Sequence, residues 1–269
     1  MHASIEYISA GVIVFLILGF TGQYTANMVN DHISIIEKNA GVKKADNIIY
    51  TLLLSPGQPL DWGLSYEEPE LLGLAFENAV KLYQLDKYKV RRLSSNSSNY
   101  IPPGRIRDLL GLSAYYYISI RIYPIFNISV SVDVVKERVN LTLVNQWGIP
   151  VSNINITATY IDTPVENVSD SDITSFMDLS LQAEYTFNVT NALGTCTLNC
   201  PGVSVDGSLL ILANQLGVKS MTTWPNLSQH IVGTIETSMG SVSGYNAEVV
   251  YRNVEIEDMN YIVRFTLWS

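Results

Sequence analysis

The sequence predicts an α+β chain with a long N-terminal apolar helix, a small α-rich neck and an antiparallel β-sandwich. Three observations carry that reading. An uncharged apolar run fills residues 7–20, and Pro- and Gly-bearing turns break residues 55–114 into short pieces. From Tyr115 onward the hydrophobic period changes from helical to two. The expected domains are therefore 1–54, a long apolar N-terminal helix; 55–114, the neck; and 115–269, a β domain.

The apolar run reads YISAGVIVFLILGF, short of the roughly 20 residues that span a bilayer unless Thr21, Gly22, Tyr24 and Ala26 lie at the interface. No A-x-A-like cleavage site followed by a new domain start closes it, so it reads as an anchor rather than a secretory signal peptide. An amphipathic pattern continues it. Tyr24, Met28, Ile35 and Ile36 recur at near-helical spacing between Asn27, Asn30, Asp31 and Lys38, and Ile48, Ile49, Leu52 and Leu53 form a second apolar set. A bend is expected near 39–41, and Ser55-Pro56-Gly57 ends the helix. Glu6 stands at the edge of the run. It sits either in the headgroup region or against a positive partner inside an assembly, since an unpaired carboxylate there is costly. Gly11, Gly19 and Gly22 would let helices approach closely.

The segment His2-Ala3-Ser4-Ile5-Glu6-Tyr7-Ile8 and the run behind it resemble the class III signal motif of archaeal type IV pilins and archaellins, Gln-x-Ser-x-Glu followed by an apolar helix. Ser4 and Glu6 match, and His2 stands in place of the Gln. The resemblance implies processing before His2, and it gives Glu6 the role of neutralising the N-terminal amine of a neighbouring subunit. A looser resemblance, to a segment found in uncharacterised archaeal pilin-like proteins, covers Leu52 to Leu112. It rests on Ser55-Pro56-Gly57, Asp61-Trp62-Gly63, Gly73-Leu74-Ala75 and Leu85-Asp86-x-x-Lys89-Val90, and it implies no activity.

Within the neck, Leu72, Phe76, Val80 and Tyr83 fall on one face of a helix expected over 70–85, with Pro69 at its start. Ile101-Pro-Pro-Gly resets the chain before one or two further helical turns over 105–112. Trp62 reads as a packing residue in preference to a carbohydrate platform. The clustered Lys87, Lys89, Arg91, Arg92, Arg105 and Arg107 read as a solvated face or as ion-pair mates of Glu67, Glu68, Glu70 and Glu77.

The β domain opens with Tyr116, Ile118, Ile120 and Ile122 alternating against Tyr117, Ser119, Arg121 and Tyr123. Further strands are expected over 127–134, 139–146, 153–160, 183–189, 208–213, 248–254 and 261–267, with turns at 148–150, 194, 201–202 and 240–244. Residues 141–159, with Gly148-Ile149-Pro150-Val151, resemble the first hairpin of immunoglobulin-like and transthyretin-like surface domains. Val189-Thr190-Asn191-x-x-Gly194 resembles a later turn of the same domains, which bind or bridge more often than they catalyse. Sequons begin at Asn96, Asn127, Asn140, Asn155, Asn167, Asn188 and Asn226, more than a chain of 269 residues carries by chance. They read as N-glycosylation sites, against the alternative that an Asn- and Thr-rich chain generates them cheaply. Cys196 and Cys200 read as a local disulfide in an oxidising compartment, or else as two small buried thiols.

Catalytic constellations are poor. His2, His32 and His230 are dispersed, and the chain holds no Gly-x-Ser-x-Gly, phosphate loop, dinucleotide fingerprint or His-Glu-x-x-His. Asp170 and Asp172 with Glu166 read as an acidic loop in preference to a weak Ca2+ site. No enzyme, metal or cofactor is expected. The net charge of −9 disfavours nucleic acid as a partner. The expected function is a structural subunit of an extracellular, cell-surface filament, inserted in the membrane before it assembles with copies of itself into a helical homopolymer. A single-pass anchored surface protein (adhesin, envelope component or accessory subunit of a membrane complex) is the rival, with a surface or carbohydrate ligand as the further partner class.

Overall fold

The computed structural model describes residues 44–162, 186–204, 206–225, 232–240 and 246–268, with Gln23, Asn27, Met28, Pro164, Asn167, Val168, Ile173 and Phe176 besides. The chain divides into two compact units, Met1–Asn47 and Ile48–Ser269. In the first unit Gln23, Asn27, Met28 and 44–47 are helical. The apolar run over 7–20, and Ser4, Glu6, Gly11, Gly19 and Gly22, lie outside the described residues. Among the described residues no helix is long and apolar enough to cross a membrane.

The second unit opens with helix α1 (48–54), whose buried stripe is Ile49, Leu52 and Leu53. The Ser-Pro-Gly stop acts as expected. Ser55 N–H closes on Thr51 O at 3.0 Å, and Gly57 takes a φ of +76°. The helix expected over 70–85 does not form. Leu74 N–H donates to Leu52 O at 2.7 Å and Ala75 N–H to Ser55 O at 3.0 Å, so the end of α1 takes donors that a helix would have used internally. Leu72 is buried, but Val80, meant for the same face, is fully in solvent. The segment instead ends in a two-residue strand, β1 (Gln84–Leu85). Two short helices follow. α2 (Lys87–Arg91) is capped by the Asp86 side chain, which accepts from Tyr88 N and Lys89 N, and α3 (Pro103–Leu109) starts on a proline. Residues 55–114 are thus less helical than expected, and through β1 they join the β structure.

Eleven further strands follow among the described residues: β2 (Tyr117–Pro124), β3 (Asn127–Asp133), β4 (Arg138–Val144), β5 (Asn155–Ile161), β6 (Thr186–Val189), β7 (Thr195–Asn199), β8 (Ser208–Gln215), β9 (Val218–Trp224), β10 (Ile235–Ser238), β11 (Ala247–Ile256) and β12 (Met259–Trp268). They make three sheets, in the orders β1-β11-β12-β2-β10, β3-β4-β7 and β6-β5-β8-β9. The unit is therefore mostly β. In the first sheet Ile118, Ile120 and Ile122 of β2 and Val263, Phe265 and Leu267 of β12 are buried, while the alternate residues of β2 are exposed or half-buried. The second and third sheets pack face to face over one apolar core, to which Val139, Leu141, Leu143 and Leu198 contribute from one side and Ile156, Ala158, Leu209, Ile211 and Ala213 from the other.

The expected hairpin over 141–159 is not one. β4 pairs with β3 and β7, whereas β5 pairs with β6 and β8. The chain first folds back on itself, Asn145 accepting from Trp147 N and Ile149 N at 3.0 Å each and Val151 N returning to Leu143 O at 3.1 Å. It then crosses to the other sheet through Asn153, at a φ of +60°. Buried Thr190 pins the crossing, its hydroxyl donating to Val151 O at 2.9 Å and accepting from Ile154 N at 3.0 Å. The turn expected at 191–194 is present, with Gly194 at a φ of +68° and Asn191 accepting from Leu193 N and Thr195 N.

Candidate functional site

The outward face of the first sheet places four polar side chains in one row. Tyr251 of β11 stands opposite Arg264 of β12, Arg264 opposite Arg121 of β2, and Arg121 opposite Glu236 of β10. Tyr123 lies two residues along β2 from Arg121 and so on the same face. The folded-back loop after β4 rises beside this row and brings Gln146, Trp147 and Gly148 to it. Arg121, Arg264, Tyr251 and Tyr123 together with the loop line a cleft of about 290 Å³, to which Pro124, Asn127 and Thr234 also contribute. Trp147 keeps 72% of its surface exposed, an unusual state for an indole. The two Asn145 bonds to its loop's backbone hold the loop in place.

The electrostatics of the row are unbalanced. Two guanidiniums directly opposite on antiparallel strands repel. Glu236 reaches Arg121 Nε at 3.4 Å, in the open. Arg264 Nε is buried and has no hydrogen-bond partner among the described residues. Burial pushes the Tyr123 hydroxyl up, with Tyr251 adding to that rise and Arg264 and Arg121 opposing it. A second cleft of about 240 Å³ shares Pro124, Asn127 and Thr234 with the first.

The basic cluster of the neck has a different purpose. Lys89 is buried and donates to Pro56 O at 2.9 Å and Ala75 O at 3.1 Å. Buried Arg92 lays its guanidinium 5.4 Å from the Trp62 ring centroid and donates to the carbonyls of Trp62, Glu67 and Asn99. Desolvation lowers the pKa of both cations, against the pull of Asp86, Glu77 and Asp61 on Lys89 and of Glu68 on Arg92. Trp62 is fully buried and its indole N–H reaches Gly73 O at 3.0 Å, so it is a packing residue. Lys87 pairs with Glu257 at 2.6 Å and Arg105 with Glu68 at 2.7 Å. Of the carboxylates nominated as mates, Glu68 is the one in a salt bridge of this set among the described residues.

The disulfide expected between Cys196 and Cys200 is absent, and both cysteines are free and buried. Cys196 lies within β7 and Cys200 just beyond its end, four residues on, and both side chains enter the core between the second and third sheets. In an extended chain such Cα atoms stand about 13 Å apart, beyond disulfide reach. Burial pushes the Cys196 thiol up to about 11 and raises Cys200 as well.

Among the seven sequon asparagines, Asn96, Asn127, Asn140, Asn155, Asn167 and Asn188 are exposed, and Asn226 lies outside the described residues. Asn188 Nδ2, the atom a glycan would take, donates to Thr197 O at 2.7 Å. His2, His32, His230, Glu166, Asp170 and Asp172 lie outside the described residues. Among the described residues no group of three or more His, Cys, Asp or Glu side chains is placed to hold a metal.

Arg264, Tyr251, Trp147 and Glu236 are the residues that sequence reasoning passed over. One signal was available: Arg264 is the one charge in the largely apolar run Tyr261-Ile262-Val263-Arg264-Phe265-Thr266-Leu267 of β12. Comparisons with protein-family profiles, with curated proteins and with solved structures found no match.

Proposed function

We propose that this chain is a structural subunit of an extracellular type IV pilus-like filament. In this reading the apolar helices of the 7–20 region bundle into the filament core and Glu6 meets the N-terminal amine of a neighbour. The unit Ile48–Ser269 forms the outer surface, its second and third sheets making an antiparallel sandwich of immunoglobulin-like or transthyretin-like kind. The observation that carries the reading is the placement of the sequons. All six that are described are exposed, all lie in the β-rich second unit, and an apolar run precedes them in the chain. A surface that carries glycans faces the secretory side of a membrane and then solvent.

The test is to shear cells, collect the high-mass extracellular fraction, image it, and sequence the N-terminus of the protein within it. Thin filaments containing the chain, starting near His2 and dispersed by Glu6→Ala, are the expected result. Recovery in the membrane fraction alone, with the segment before Glu6 uncut, overturns the filament reading in favour of a single-pass anchored surface protein. The cleft on the first sheet favours that second reading, because an adhesin needs a ligand site and a passive sheath does not.

A further inference from the structure

We propose that the cleft over Arg121 and Arg264 is a binding site for a carboxylate borne on a sugar ring. The inference stands whether or not the chain polymerises. Its first support is charge. Arg121 and Arg264 face each other across neighbouring strands, and Glu236 approaches Arg121 at 3.4 Å from the strand on its other side. Arg264 Nε is buried with no partner among the described residues. Arg264 Nε itself has no open surface, so an occupant meets the other atoms by which Arg264 lines the cleft, and a planar carboxylate is the group that a guanidinium fork fits. One carboxylate between the two arginines would also relieve their repulsion.

The second support is shape. Tyr123, Tyr251 and Trp147 give the cleft three aromatic side chains, and Trp147 is kept exposed by a loop that two Asn145 hydrogen bonds hold. Tyr and Trp present a flat apolar face with a polar edge, which suits the apolar face and hydroxyl rim of a pyranose ring. The cleft volume of about 290 Å³ is at the lower end of small-molecule sites and suits one or two sugar rings. A bare inorganic anion would leave the rings without a role, and a neutral sugar would leave Arg264 without one.

Asn127, a sequon residue, lines the same cleft. The acidic sugar therefore has two sources, a free saccharide or the chain's own glycan on Asn127. The experiment uses the full chain in detergent, with glucuronate as probe and glucose and acetate as controls, followed by calorimetry and by Trp fluorescence. Saturable glucuronate binding at least tenfold tighter than either control is expected. It should weaken tenfold or more in Arg264→Gln and in Arg121→Gln and stay unchanged in Lys136→Gln, whose cation pairs with Asp133 instead. Arg121 is half-exposed on its strand, so its variant keeps the test valid even where Arg264→Gln fails to fold. Binding by the wild-type chain assigns the site to an external saccharide. Binding that appears only in Asn127→Gln assigns it to the chain's own glycan. Absence of binding in both, equal affinity for glucose, or indifference to Arg121→Gln in a folded protein overturns the proposal.

Discussion

Arg92 lies over the ring of Trp62 with its guanidinium carbon 5.4 Å from the centroid, and it donates to the Trp62 carbonyl as well. One residue therefore holds the other through both its side chain and its backbone. Arg92 Nη1 also reaches Glu67 O and its Nε reaches Asn99 O, at 2.9 Å each, so a single guanidinium ties together three loop segments that have no strand or helix of their own. Arg92→Met removes the donors and leaves those carbonyls to find other partners. Unfolding in urea should show a loss of about 2–4 kcal/mol, since buried acceptors are left unmet. Arg92→Lys should recover little of it, because a point ammonium cannot span the fork. A wild-type midpoint in Arg92→Lys would sink this account.

Lys89 gives a pH signature of unusual sign. Burial, the largest influence, lowers its pKa below the ordinary 10.5. Between the lowered folded value and 10.5 the unfolded chain binds more protons than the folded one, so this residue makes stability rise with pH across that window. Below the folded value both states are charged and the desolvation penalty is in full force. Lys89→Met lacks the effect. The stability of wild type minus that of Lys89→Met should therefore grow as pH goes from 8 toward 10.5. Subtraction removes the shared titration of the buried tyrosines and thiols. Parallel stability curves for the two proteins across that range would refute it.

The contrast between those cations and the cleft explains what was legible in the sequence. Ser55-Pro56-Gly57 ended α1 where expected because Pro and Gly act through their own backbone geometry. Strands β2, β3, β4, β5 and β11 were legible because alternation reports burial on one face, and β12 because it is an apolar run with strand-forming residues. The 70–85 segment misled because its apolar spacing fits a helix, while its backbone donors are claimed by Leu52 and Ser55, which no local pattern reveals. Strands β7 and β10 are four or five residues long and hold few alternations to read. The cleft was hidden for a further reason. Arg121 and Arg264 meet through the register of two strands far apart in the chain, and the sequence does not state register.

Glycine chemistry allows a paired test of that backbone packing. At Gly73 an added Cβ would fall on Ser55 O and within 2.6 Å of Gly57 N, both backbone atoms that cannot turn aside. Gly73→Ala should therefore unfold the junction of α1 with the segment after it and lower stability by about 3 kcal/mol or more. Gly104, inside α3, has nothing within 4 Å of its added Cβ. Gly104→Ala should raise stability by about 0.4–1 kcal/mol, chiefly by restricting the unfolded chain. Thermal melts of the two variants decide it. Equal melting temperatures would show that the Gly73 contact relaxes cheaply.

Cys196 and Cys200 provide the last test, because reactivity reports both their burial and their unpaired state. Only thiolate reacts with an alkylating or disulfide reagent. With Cys196 pushed up to about 11 by burial and Cys200 raised too, little thiolate exists in the folded protein at pH 8. The core between the second and third sheets also shields both sulfurs. A chromogenic disulfide reagent at pH 8 should therefore find almost no thiol in the native protein and two per chain after denaturation, without any reductant. Cys196→Ala and Cys200→Ala should each cost about 1–2 kcal/mol from lost packing alone, far less than losing a bridge would. A chain that yields no thiol until it is reduced would instead carry the disulfide, and the register that separates the two residues along β7 would then be wrong.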